Sequence, residues 1–67
     1  MSIADYTKRE IEYYLEECNF TEPQEVFFLL RSKNIPIEEC AERMNISVSC
    51  ANRISAKIKQ KIERVMM

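Results

Sequence analysis

None of the 67 residues is glycine. At a turn that demands a left-handed backbone, Asn follows Gly in tolerance. Gly-rich phosphate loops and dinucleotide-binding fingerprints are excluded outright. A chain of this length buries only about 60% of the surface it would expose unfolded, so one compact core is the limit. With 46% hydrophobic and 31% charged residues, the composition is that of a folding domain and not of a disordered chain.

Histidine is absent too, which removes the commonest general base and the commonest metal ligand. So short a chain also has little room to enclose a substrate, and no residue set supports an enzyme. Cys18, Cys40 and Cys50 are odd in number and fall in no C-x-x-C pair. They read as reduced, space-filling thiols, with no disulfide framework, metal site or cofactor implied. No apolar run approaches the roughly 18 residues that cross a bilayer, and Met1 to Asp5 lack the basic and apolar regions of a secretion signal, so a cytoplasmic protein away from membranes is expected.

The net charge of −1 conceals a division. Residues 1–30 carry two basic and seven acidic side chains, −5 in sum, whereas residues 31–67 carry eight basic and four acidic ones, +4 in sum. Such asymmetry points the second half towards an anionic partner, a solvated helix face being the plainer reading.

Helical signals run along the whole chain. A first helix is expected from a cap at Asp5 to about Cys18, with Ile11, Tyr14, Leu15 and Cys18 on one face, closed by Asn19 and Phe20. Thr21-Glu22-Pro23-Gln24 forms a capping box for a second helix, and Pro is tolerated in its first turn. The run from Val26 to Leu30 is apolar almost all round, as suits a helix surrounded by others. Arg31, Lys33 and Asn34 sit near its C-terminus, where cations complement the dipole. Pro36 starts a third helix, Ile37 to Met44. Asn45 ends it, and Ser47 caps a fourth that carries Ala51, Ile54, Ile58, Ile62 and Val65 along one side and frays only at Met66 and Met67.

The fold class expected is all-α, a small four-helix domain of tetrahelical type, residues 1–67, with a helix-turn-helix over residues 36–62. Two helices crossing near a right angle over a short turn need small and apolar residues where they meet and a left-handed residue at the turn. Ala41 supplies the small residue, Asn45 the turn, and Cys40, Met44, Ile46, Ala51 and Ile54 the inward apolar positions. A plain helical hairpin is the competing reading. Ser47, a cap directly after the turn, favours the helix-turn-helix.

If the fourth helix enters a major groove, it presents Ser47, Val48, Ser49, Asn52, Arg53 and Ala56, with Lys57 a turn further on. Asn52 suits adenine and Arg53 guanine or a phosphate. Ser47 and Ser49 suit phosphates or bases, and Val48 a thymine methyl. Lys33, Arg43, Lys57, Lys59 and Lys61 would neutralise backbone phosphates. Ser47 is a helix cap whatever the function, and lysines such as Lys59 and Lys61 are ordinary on a surface.

The stretch from Phe20 to Val65 resembles region 4 of bacterial sigma factors and, nearly as much, the output domains of LuxR-type regulators. Thr21 to Leu30 is similar to the family's opening helix, with Pro and polar residues before an apolar run. Ile37 to Ser49 is similar to the family stretch of apolar, two polar, Ile, Ala, acidic, polar, Leu, Gly, Ile, Ser, Val, Ser. Asn45 stands for the usual Gly, Cys40 for Ile, and Ala51 for a β-branched residue. The resemblance implies a bacterial or phage DNA-binding domain in which Ser47, Ser49, Asn52, Arg53 and Lys57 touch DNA. A sigma factor also needs a promoter-opening domain that 67 residues cannot hold, so a stand-alone module is expected.

Two functions follow. The first is a transcription regulator that binds double-stranded DNA, as a homodimer if the stripe Ile54, Ile58, Ile62 and Val65 makes an interface and does not pack on the first helix of its own chain. The second is an adaptor that keeps the fold without DNA and binds RNA polymerase or another regulator through Glu10, Glu12, Tyr13, Glu16 and Glu17.

Overall fold

The first regular helix opens at a reciprocal cap. Thr7 Oγ1 accepts from the Glu10 backbone N–H at 3.2 Å, and Glu10 Oε1 accepts from the Thr7 N–H at 2.9 Å. In this computed structural model, which describes residues 3–66, helix α1 spans Lys8–Glu17 behind that cap. Asp5, expected to cap it, instead ends a single 3₁₀ turn, Ile3–Asp5. Thr7-x-x-Glu10 satisfies two orphan donors at once, where a lone Asp would satisfy one. Helix α2, Glu22–Ser32, starts at the expected box, with Thr21 and Gln24 in the same reciprocal pattern. Helices α3, Ile37–Met44, and α4, Val48–Met66, complete an all-α domain with no strand among the described residues. Met1, Ser2 and Met67, named above for a leader and for fraying, lie outside those residues.

Asn replaces glycine at every connection between these helices. Asn19, Asn34 and Asn45 have φ of 52°, 62° and 58°, left-handed values that cost a residue with a larger side chain about 1–2 kcal/mol. At two of them the backbone closes in the same way. The Asn34 N–H donates to Arg31 O and the Ile35 N–H to Leu30 O; the Asn45 N–H donates to Glu42 O and the Ile46 N–H to Ala41 O. These paired bonds are the Schellman arrangement, which satisfies carbonyls that a helix end would otherwise leave bare. The expectation for Asn45 holds. Arg31 contributes by donating to Ile35 O at 2.7 Å.

Inside lie Phe27, Phe28, Cys40, Ala51 and Ile58, all fully buried, with Tyr14, Cys18, Ala41 and Ile62 nearly so. Tyr6, Tyr14, Phe20 and Phe28 form a linked aromatic set with tilted rings 5.1 to 6.4 Å apart, spacings at which ring quadrupoles attract. The α4 stripe packs chiefly on α2. Ile58 and Ile62 are thereby buried inside their own chain, whereas Ile54 and Val65 of the same stripe stay partly exposed. Helix α2 is also less enclosed than its run suggested, because Val26 is 42% exposed. The radius of gyration, 11.1 Å, matches the roughly 11 Å of a compact domain this size.

Burial pushes the thiols of Cys18 and Cys40 above their ordinary value of 9.0, partly offset at Cys18 by Lys61 and at Cys40 by Arg31 and Arg43. It pushes the phenols of Tyr6 and Tyr14 above 10.0. The folded chain therefore holds these protons where the unfolded chain releases them. Stability owed to the neutral groups is complete below pH about 9 and is lost as pH rises through the raised folded values. Urea titrations should give a constant midpoint from pH 6 to 8 and a falling one above about pH 9. At neutral pH, Asn45→Ala should cost about 1–2 kcal/mol, and Asn45→Gly should cost nothing measurable or stabilise.

Candidate nucleic-acid interface

Helix α3 ends at Met44, and after Asn45, Ile46 and Ser47 helix α4 begins. Ser47 Oγ accepts from the Cys50 backbone N–H at 3.1 Å, the expected cap. Its hydroxyl hydrogen remains able to donate outward. The first turns of α1, α2 and α3 each carry acidic residues, whereas that of α4 carries none. The positive end of the α4 dipole therefore receives no compensating carboxylate from its own first turn.

All of Lys33, Arg43, Ser47, Val48, Ser49, Asn52, Arg53, Ala56 and Lys57 are exposed. They do not form one patch. At about 100° per residue, Val48 and Asn52 lie on one flank of α4, and Arg53 and Lys57 on a flank about 140° away, with Ser49 and Ala56 between. Lys59 falls on the Val48 flank, beside Ile3 and Tyr6. Arg43 is paired to Glu39 at 2.6 Å, both side chains about half exposed. So exposed a pair is worth at most about 1 kcal/mol and exchanges readily for a phosphate. Lys33 sits apart. It caps the C-terminal end of α2, and the N-terminal turn of that helix, about 15 Å away along its axis, is the part beside Arg53 and Lys57.

Lys61, expected among the phosphate-neutralising lysines, is engaged within its own chain. Its ammonium donates to Gln24 Oε1 at 2.6 Å and Asn19 O at 3.2 Å and stands 5.9 Å from the centre of the Phe20 ring. It ties α4 to the α1–α2 connection, so Gln24 serves both its capping box and this lysine.

Between α2 and α4 runs an open groove of about 800 Å³ that periodicity did not reveal. Val26, Met44, Ile46 and Ile54 give it an apolar floor, with Cys50 beside them and Arg53 and Lys57 along the α4 edge. The signal available in the sequence was Val26, one apolar residue more than a single buried face requires.

Among the described residues no cluster of His, Cys, Asp or Glu could hold a metal ion, and no helix is long and apolar enough to cross a membrane. No protein-family model, curated protein or solved structure matches the chain.

The three thiols are set in different surroundings, Cys50 half-buried at the groove and Cys18 and Cys40 in the core. Iodoacetamide at neutral pH should modify Cys50 alone in the folded protein, with Cys18 and Cys40 reacting only in denaturant, as read by peptide mass spectrometry.

Proposed function

We propose that the chain is a DNA-binding transcription regulator in which α3 and α4 act as a helix-turn-helix and the N-terminal half of α4 reads the major groove. One observation carries the reading. The exposed surface of that half is Ser47, Val48, Ser49, Asn52, Arg53, Ala56 and Lys57, on a helix whose own first turn carries no acidic side chain. Hydroxyl, amide and guanidinium groups at a helix N-terminus are the donors that phosphates and base edges accept from. The left-handed Asn45 and the short capped turn support a helix-turn-helix geometry. The resemblance to sigma factor region 4 and LuxR-type output domains agrees with the same residues.

In this reading Asn52 and Val48 contact base edges from one flank, and Arg53 and Lys57 hold the phosphate backbone from the other. Ser47 and Ser49 contribute hydroxyl and backbone N–H donors to the strand nearest the helix end. Arg43 and Lys33 add charge at longer range. Double-stranded DNA is the partner, and the setting is bacterial or phage cytoplasm.

The adaptor reading has an observation of its own. Glu10, Glu12, Glu16 and Glu17 are exposed on α1 beside Tyr13, which is 50% exposed. An exposed aromatic ring is of the kind enriched at protein interfaces, and carboxylates round it suit a polar rim against a basic surface of RNA polymerase or another regulator.

Fluorescence anisotropy with a random-sequence duplex, titrated from low to raised salt, separates the two. A DNA reader binds at low salt and loses affinity steeply with added salt. The double variant Arg53→Ala, Lys57→Ala should lower the slope of log K against log salt by about two while keeping its helicity. Absence of binding at low salt would leave the adaptor reading. Unchanged affinity in the double variant would place the DNA on another face.

A further inference from the structure

The DNA reading leaves one feature unused, the apolar floor of the groove between α2 and α4. Val26, Met44, Ile46 and Ile54 line it, and Val26 is 42% exposed. A phosphate backbone gains nothing from such a surface. Met44, Ile46 and Ile54 pack one side against the chain's own core, whereas Val26 has no such partner and lies open at the groove. The groove volume, about 800 Å³, falls in the range of about 300–1,000 Å³ typical of binding pockets.

We propose that this groove docks an acidic amphipathic helix of a partner protein, and that the docked helix competes with DNA. The competition rests on the DNA reading above; the docking does not. Cys50, Arg53, Ile54 and Lys57 follow one flank of α4 for two turns, about 10 Å, a length matched by a helix offering apolar residues at i, i+3 or i+4, and i+7. Charge sets the partner's chemistry. Arg53 and Lys57 are one turn apart on the α4 edge, and the first acidic residue of α4 is Glu63, well beyond the groove. Glu22 stands on the opposite, α2 edge. A helix with its carboxylates along the α4 side meets both cations and keeps its acidic row away from Glu22. It also occupies the two side chains assigned to phosphates, so it takes the place of DNA on that flank.

A second copy fits less well. The other exposed large apolar residues among those described, Tyr13, Val48 and Met66, lie on different elements or at opposite ends of α4. They form no apolar ridge with which one copy could fill another's groove.

The test uses the full chain and two synthetic helical peptides that share one leucine stripe, the first flanked by Glu and the second by Lys. The acidic peptide should bind about tenfold more tightly than the basic one, and it should protect Cys50 from alkylation as it saturates. Val26 is exposed, so Val26→Asn should keep the fold, checked by circular dichroism, and weaken the acidic peptide about tenfold. In the presence of bound duplex, the acidic peptide should displace it. Equal binding of the two peptides, no binding of either at millimolar concentration, or an affinity indifferent to Val26→Asn each overturns the docking. Self-association abolished by Val26→Asn overturns it in favour of a second copy. A peptide that binds and protects Cys50 without displacing bound duplex overturns the competition. If no duplex binds at all while the peptide does, the docking stands and the DNA reading is what fails.

Discussion

The left-handed backbone at Asn45 is the constraint on which the surface of this domain depends. Its φ of 58° turns the chain out of α3, and the paired bonds from the Asn45 and Ile46 N–H groups close that helix. Only two further residues separate the turn from the start of α4, so the direction of the longest helix is set within three positions. Ser47 then caps α4, and Ala51 and Ile58 are buried as its first turns proceed. With the inward face thus fixed, Asn52, Arg53 and Lys57 are left outward. The same device at Asn19 and Asn34 lets a chain without glycine make three helix connections.

Against that rigid frame, the charge of the second half is less uniform than a count suggests. Arg31 and Lys61 are drawn into bonds with backbone carbonyls at helix connections, and Arg43 is shared with Glu39. Arg53 and Lys57 remain side by side at the groove edge, a concentration of two exposed cations on one flank of α4, with Lys59 on the other flank and Lys33 apart. That concentration gives the proposed DNA reading and the proposed peptide docking their common ground.

Local signals were legible in the sequence. The Thr21 capping box, the start at Pro36, the turn at Asn45 and the cap at Ser47 depend on residues within four positions of each other, and each stands where expected. Asp5 failed because a better local solution, Thr7 with Glu10, lay two residues on. What sequence did not disclose depends on tertiary approach. Lys61 meets Asn19 and Gln24 across 42 and 37 residues, and no periodicity encodes such a meeting. The exposure of Val26 and the groove beside it likewise follow from how α2 lies against α4. The eight candidate DNA contacts lie on α4 and its cap, with Arg43 on α3 and Lys33 at the end of α2. All eight are exposed, and the spacing of the six in and before α4 already divides them between two flanks.

The central claim is that the N-terminal half of α4 is the surface that meets DNA, and backbone amide chemical shifts report on it residue by residue. In a ¹⁵N-labelled sample titrated with a short duplex at low salt, the account predicts the largest shifts at Ser47 to Lys57, with the α1 amides nearly still. Shifts centred on Glu12 to Glu17, or none at all, would contradict it.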